Sequence, residues 1–378
     1  MLKIDKKLCT GCALCKQICP KKCIEMKKND EGFLYPEIID TSECINCNLC
    51  NKFCPYKMKV DNNEKQYYAL QLKNYSLLKK CASGGAFSAL ATLVIELNGR
   101  VCGVGQIGKN AEFIIVDSKS DIDLLTGSKY FQCSLSDKVY KEIDRLNKDK
   151  FFLFCGTPCQ VAAIEIKFRK KFKDKLITVE LICQGVPSEI VVNRYYSELE
   201  FNMNSSIKDH KFRSKDKFVG RNYLNKYTYE NGNIVYLKGS KDLLTKSFQN
   251  KIFLRESCYS CHFANNNRVA DFTIGDLWNY DLQNKKIKFN FGVSVVVLNT
   301  MNARKIFELI NKIAYIEKID QTSLKDNVPF NAPVKKPLSR NFSYKLLNSN
   351  MKFKYVVNLC CIKYNCKHLV KKILRKEI

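Results

Sequence analysis

The sequence predicts an α+β / α/β protein in three parts: a small cysteine-dense module, a larger mixed α/β domain and a basic helical tail. Three observations carry this reading. Two copies of a four-cysteine run fall within the first 60 residues. From residue 67 onward, short apolar runs of strand length alternate with segments of helical period. Residues 335–378 hold 12 Lys and Arg against a single acid. The expected divisions are 1–60, then 67–205 and 206–334 as two parts of one domain, then 335–378, with the polar "DNNEKQ" (61–66) as a linker.

In the first part, "CTGCALCKQICP" (9–20) is repeated as "CINCNLCNKFCP" (44–55), every cysteine 35 residues later. Each copy reads C-x2-C-x2-C-x3-C-P. Three closely spaced thiolates cover three corners of a [4Fe–4S] cube, and in two-cluster ferredoxins the fourth cysteine of each run serves the other cluster. The expected ligand sets are therefore Cys9, Cys12, Cys15 and Cys54 for one cluster, and Cys44, Cys47, Cys50 and Cys19 for the second. A zinc module has no use for an eight-cysteine duplication with Pro after each run. Cys23 fits neither set and reads as a bystander. Between the motifs, "GFLYPEIID" (32–40) reads as a strand.

Composition narrows the function classes. The chain has 378 residues, 46% of them hydrophobic, which is ample for a core. The start "MLKIDKK" carries no secretory apolar run, and the longest nearly apolar stretch, "AFSALATLVIEL" (86–97), is too short to span a bilayer. With 20 cysteines, a reducing compartment and a cytoplasmic location are expected. The +27 formal charge is mostly scattered Lys, with no nucleic-acid-binding signature, so no nucleic acid is expected. The basic tail is the exception to that scatter. An anionic membrane surface or an acidic partner is the expected contact of its segment "FKYVVNLCCIKYNCKHLVKKILRK", with Val356, Leu359, Tyr364 and Leu369 on one apolar side. A helix packed back on the domain is the competing reading. Cys360, Cys361 and Cys366 lack cluster spacing and read as structural or incidental.

In the main domain "YYALQL" reads as a strand, and "SGGAFSALATLVIELNG" (83–99) as a helix with a Ser start and a Gly stop. "FFLFC" (151–155) and "LITVELIC" (176–183) read as buried strands, "CQVAAIEIKFRKKF" and "SEIVVNRYYSELEF" (188–201) as helices, and the alternation implies a mostly parallel sheet. Beyond about 205 strands dominate, with an Asn-Gly hairpin turn at 231–232, then "ADFTIGD" and "GVSVVVLN" as strands and "MNARKIFELINKI" as a helix. After "PFNAPVKKP" the chain is expected to be irregular, then helical from about 351. "GVGQIG" (103–108) matches the dinucleotide fingerprint, but "AEFIIVD" (111–117) follows it as a strand, so a hairpin is expected instead of a phosphate-binding turn.

Five ordered segments, "CASGGAFSALA" (81–91), "GSKYFQ" (127–132), "CGTPCQVAAI" (155–164), "LICQGVPS" (181–188) and "CYSCHFANNNRVADFTIGDLW" (258–278), resemble the beta-subunit family of coenzyme F420 hydrogenases and dehydrogenases. The resemblance covers roughly 67–330. It implies an α/β domain that binds FAD and a third [4Fe–4S] cluster, with Cys159, Cys183, Cys258 and Cys261 as the matching ligand positions. Cys155 competes with Cys159 and reads as a small core residue, while an incidental thiol pair competes at Cys258 and Cys261. For the flavin, the Ser83-Gly84-Gly85 helix start offers unpaired N–H groups to a pyrophosphate, and "GSKY" adds Ser128, Lys129 and Tyr130. Asp271 and Asp276 are expected either at the cofactor or in turns. One departure is Gln184 in "CQGVP", where many relatives have His; Gln hydrogen bonds but carries no proton, which sets a proton relay there in doubt.

The expected function is an iron–sulfur flavoprotein oxidoreductase, moving electrons between the clusters and FAD and hydride to or from an acceptor such as coenzyme F420 or another small molecule. A redox partner protein is expected alongside. No catalytic residue is assigned. A non-catalytic electron-transfer subunit is the alternative.

Overall fold

A computed structural model describes residues 5–60, 64–217, 224–278, 281 and 283–361. The N-terminal module is a two-stranded antiparallel ribbon, β1 (Ile24–Lys28) and β2 (Leu34–Ile38), with Ile24 opposite Ile38. Each cysteine motif crosses a single helical turn, Leu14–Gln17 in the first and Leu49–Lys52 in the second.

The main domain is built on an eight-stranded sheet. In chain order its strands are β3 (Gln66–Leu72), β4 (Arg100–Ile107), β5 (Asn110–Val116), β6 (Phe152–Gly156) and β7 (Leu176–Leu181). A separate three-stranded antiparallel sheet follows, of β8 (Ile207–Ser214), β9 (Leu224–Tyr229) and β10 (Ile234–Lys238). Then β11 (Phe272–Asp276), β12 (Ser294–Leu298) and β13 (Ala314–Ile319) return to the large sheet, whose order is β13-β3-β12-β11-β7-β6-β4-β5.

Only β4, β6, β7 and β11 run parallel to their neighbours in that group; β5, β12, β3 and β13 pair antiparallel. The expected mostly parallel sheet is thus a parallel centre with antiparallel flanks. The reason lies in the connections. Helices Pro158–Phe172 and Glu189–Met203 follow β6 and β7, whereas among the described residues between β11 and β12 the only helical element is a 3-10 turn, Phe289–Phe291. A return to a parallel neighbour needs a crossover of helical length. Across "GVGQIG" the chain forms the expected β4–β5 hairpin, with Ile107 opposite Asn110 and Gly108 at φ 63°. The Asn-Gly turn joins β9 to β10, with Gly232 at φ 85°.

The tail departs from expectation. Arg340–Leu347 is a helix, not irregular chain, and residues 353–361 are helical again. Phe353, Val356, Val357, Cys360 and Cys361 recur at the i, i+3, i+4, i+7, i+8 spacing of one helix face and are buried with Tyr195, Tyr227, Phe253 and Tyr344. Leu359, expected beside Val356, points to solvent. The apolar side of 353–361 is therefore committed to the core, and the surface contact expected of it does not hold there; Tyr364, Cys366 and Leu369 lie outside the described residues. Among the described residues no helix is long and apolar enough to cross a membrane.

Candidate iron–sulfur and cofactor site

The two motifs of the module form two small cavities. One is lined by Cys9, Cys12, Cys15 and Cys54, the other by Cys19, Cys44, Cys47 and Cys50. The fourth cysteine of each run thus stands with the first three of the other run, the crossed arrangement expected from the spacing. Cys23 also lines the second cavity, its Sγ 3.5 Å from that of Cys19.

A much larger cavity, about 580 Å³, opens at the carboxyl ends of β6, β7 and β11. That volume lies within the roughly 300–1,000 Å³ of small-molecule and cofactor sites, and the place is where ligands of open α/β sheets bind. Cys159, Cys183, Cys258 and Cys261 all line it. Cys159 stands in the first turn of helix Pro158–Phe172, whose Thr157 start forms a capping box with Gln160. Cys183 follows β7, and its Sγ accepts the Gly185 N–H at 3.3 Å. Cys258 lies in the short turn Glu256–Ser260, with Cys261 just after it.

Backbone contacts bring these distant segments together. The Arg255 N–H donates to Val186 O at 2.9 Å, and Pro187 bridges to Leu254. Gly185, at φ 119°, lets the strands of chain touch: a Cβ there would lie 2.9 Å from Cys258 Cβ. Arg268 secures the far side of the Cys261 loop, donating to Phe263 O at 3.0 Å and Asn265 O at 3.1 Å while pairing with buried Glu180 of β7.

Burial pushes the Cys183 thiol up to about 12 and Cys261 up to about 11, and raises Cys159 and Cys258 as well. After burial, the raising influences on Cys258 include Cys183, Cys261 and Cys159, and Cys159 acts on both Cys183 and Cys261, so the four form one electrostatic group. Four half-buried thiols lining one cavity suit a polynuclear cation that draws off their protons. Cys155, the competitor of Cys159, lines the same cavity but packs into the apolar core near the end of β6, where burial raises it to about 12 and Lys129 lowers it. Among the described residues no three or more His, Cys, Asp or Glu side chains form a site for a metal ion; a [4Fe–4S] cube instead spreads its thiolates over its corners.

The same cavity collects most of the residues expected at a flavin. Ser83, Gly85, Ser128, Lys129 and Tyr130 line it; Gly84 does not. A Cβ on Gly84 would lie 2.3 Å from Leu70 O and 2.4 Å from Ser294 N, so this glycine allows the turn to lie on the sheet backbone. Gly85, at φ 84°, caps the helix Ala86–Glu96. Ser83 Oγ donates to Val293 O at 2.8 Å, and the Lys215 ammonium, pushed down to about 8 by burial, donates to Ser83 O at 2.9 Å. Lys129 is also lowered to about 8 by burial, and its Nζ donates to Thr126 O at 2.8 Å and Leu125 O at 3.2 Å. The Tyr130 ring packs on Phe248, 4.7 Å between centroids.

Sequence reasoning missed one member of the charged pair in this wall, Arg213. Arg213 of β8 meets Asp276 of β11 at 2.7 and 3.1 Å, and both line the cavity. Asp276 is thus at the site, whereas Asp271 lies within the core, accepting from Arg169 at 2.9 Å and Thr300 at 2.7 Å. Nothing local in "HKFRS" marks Arg213, which enters the cavity wall at an irregular point of the β8–β9 ladder with φ 55°. Thr10, Gly11 and Cys12 of the first motif complete the wall, and so does Gln184.

The chain resembles known proteins in two stretches. Residues 8–58 match the 4Fe-4S dicluster domain, and residues 149–323 match the family described as the C terminus of the coenzyme F420 hydrogenase/dehydrogenase beta subunit. The turns 83–85 and 128–130 lie ahead of the second match. Among solved structures, the F420-reducing [NiFe] hydrogenase complex from Methanosarcina barkeri, in a xenon derivatization, holds a chain that is 18% identical. That likeness covers 72% of this chain and 90% of the other, with a TM-score of 0.47. No curated protein matches the chain. By its two matched stretches, the chain is an iron–sulfur electron-transfer protein of the oxidoreductase type, with a 4Fe-4S dicluster domain at its N-terminus and a stretch related to the coenzyme F420 hydrogenase/dehydrogenase beta subunit.

Proposed function

We propose that this chain is an iron–sulfur flavoprotein oxidoreductase holding three [4Fe–4S] clusters and FAD, and working with a redox partner protein and a small-molecule hydride acceptor such as coenzyme F420. The observation that carries this reading is the single cavity whose wall holds Cys159, Cys183, Cys258 and Cys261 together with the Ser83, Gly85 and Ser128–Tyr130 turns. When bound, the clusters supply one-electron steps and the flavin pairs them into two-electron, hydride-level chemistry.

The residues supply position and environment. Cys44, Cys47 and Cys50 lie at or near the surface with Ile39, Ile45 and Phe53 exposed beside them, an approach for a partner protein. Cys9, Cys12, Cys15 and Cys54 face the main domain, and Cys12 borders the large cavity where the third set stands. The first set thus adjoins the large cavity through Cys12, while the second set stands at the surface. In the cavity, Gly85 opens helix Ala86–Glu96, whose first N–H donates to Ser294 Oγ at 3.5 Å, and the N–H groups that follow in this first turn are our candidates for a diphosphate. The Arg213–Asp276 pair, Tyr130, Phe131, Phe248 and Trp278 line the same cavity, with Asp276 opposite Ser294 in the sheet and Ser294 Oγ beside the helix start. All described cysteines are free thiols, in keeping with a reducing, cytoplasmic setting.

Anaerobic reconstitution tests the reading. The wild-type chain is expected to hold about 12 irons, at four per cluster, with flavin bands in its visible spectrum. A Cys258→Ser/Cys261→Ser variant is expected to keep about 8 irons, from the two ferredoxin-type clusters. A count of about 8 in both proteins removes the third cluster; full iron without flavin leaves the electron-transfer subunit.

A further inference from the structure

Arg255 lies three residues before Cys258, yet its side chain belongs to the first cysteine motif. It is 1% exposed. Its Nε donates to Cys9 O at 2.8 Å, Nη2 to Leu34 O at 2.7 Å, and Nη1 to Gln132 Oε1 at 3.3 Å. Nη2 also reaches Cys9 Sγ at 3.9 Å, and the guanidinium carbon lies 4.3 Å from the Tyr35 ring centroid and 5.2 Å from that of Phe33. Gly11, between Cys9 and Cys12, is pressed against it: a Cβ there would lie 2.9 Å from Nη1.

Every acceptor in this set is neutral or a thiol, and among the described residues Arg255 forms no ion pair with a carboxylate. A buried guanidinium normally requires a counter-charge. A cluster held by four thiolates is an anion in both oxidation states, and it becomes more negative on taking up one electron. A fixed cation and a hydrogen bond at one ligand sulfur both favour that reduced form. Burial works the other way, because water no longer stabilises the added charge. Among the described residues the second set has no buried cation beside it, only the half-exposed Lys21 at its cavity. Cys44, the counterpart of Cys9, has its thiol 3.8 Å from the neutral Asn46 Oδ1.

We propose that Arg255 is a positive charge set by the main domain against the cluster at Cys9, Cys12, Cys15 and Cys54, raising its reduction potential relative to the outer cluster. The proposal rests on the reading that those four thiols hold one cluster. Raising the inner potential favours inward movement of each electron from the exposed set. Arg255 is a positioning and tuning residue; it forms no bond in any reaction.

The test is a redox titration of the full, cluster-loaded chain followed by electron paramagnetic resonance, for wild type, Arg255→Gln and Arg255→Lys, with iron counted in each sample. Gln keeps a donor and removes the charge; Lys keeps the charge. In the Gln variant one ferredoxin-type signal is expected to fall by tenfold or more in its reduction equilibrium, about 59 mV for one electron, with the other unmoved. Lys is expected to restore most of the shift. Unchanged potentials in the Gln variant, or an equal fall with Lys, overturn the proposal. Loss of four irons from both variants also overturns it, since Arg255 would then be an anchor alone. A wild-type count near 8 removes the third cluster instead and leaves this comparison readable on the two ferredoxin-type signals.

Discussion

The two cysteine motifs share a backbone and differ in surroundings. Gly11 and Asn46 are counterparts in the repeat, both left-handed at φ 71° and 52°; Ala13 and Asn48 are the next such pair, at φ 60° and 59°. Wrapping three thiols around one cluster imposes that conformation twice. In the second motif it falls to Asn, which tolerates the left-handed region because its side chain hydrogen bonds locally. In the first motif the same positions are buried, and Gly and Ala stand there. Arg255 and Leu34 O leave no room at Gly11. Packing thus outweighs conformational preference at Ala13, which accepts a cost on the order of 1 kcal/mol for its dihedral.

The contacts follow the same division. The main domain holds the first motif through Tyr140 Oη to Cys12 O at 3.0 Å, Gln132 Nε2 to Thr10 O at 3.2 Å, and Lys16 to Asp137 at 2.7 Å. From the tail, Arg340 clamps Glu31 between the ribbon strands, with Nη2 at 2.7 Å from Oε2. The second motif keeps its cysteine loop in solvent, and the nearby Lys21–Glu43 pair spans 3.6 Å with both side chains about half exposed. One half of a duplicated module has become an interior surface, and the other has stayed a protein exterior.

Exchanging the counterpart residues is the strongest way to break this comparison. Gly11→Asn suits the backbone but drives a side chain into Arg255 and Leu34 O, and about 3 kcal/mol of stability is expected to be lost, the upper end of overpacking costs. Asn46→Gly at the exposed position is expected to cost no more than about 1 kcal/mol. Chemical denaturation of the cluster-loaded proteins measures both. Equal losses would show that the loop conformation, not burial, selects these residues.

A smaller effect is expected from the ion pairs. Arg340→Ala removes the partner of Glu31 and the donor to Leu254 O at 3.0 Å, and should cost about 2 kcal/mol. That is less than for a fully buried pair, because Glu31 retains a route to water. Lys21→Ala in the outer half is expected to change stability by less than about 0.5 kcal/mol. Melting midpoints compared at low and high salt check this: the Arg340 effect should persist in salt, and a Lys21 effect of similar size would contradict the assignment of inner and outer halves.

What the sequence determined by itself was the chemistry that rests on nearest neighbours. The crossed grouping of cysteines around two small cavities follows from their spacing, and the β4–β5 hairpin follows from two apolar runs with a glycine between them. The helix after Ser83-Gly84-Gly85 follows from its caps and period, although it spans Ala86–Glu96 rather than the whole expected stretch. Tertiary structure decided which of the two motifs turned inward, because their cysteine spacing is identical and the packing of Phe33, Tyr35, Tyr140 and Arg255 falls on the first motif alone among the described residues. It also decided that Cys155 and Cys159 both reach the wall of the large cavity, and that Asp276 rather than Asp271 meets it. Each of these choices depends on where a strand ends relative to its neighbours in the sheet. Sequence periodicity sets the face of a strand but not its partners, and Arg213 and Arg255 reach residues 63 and 246 positions away, beyond any local pattern.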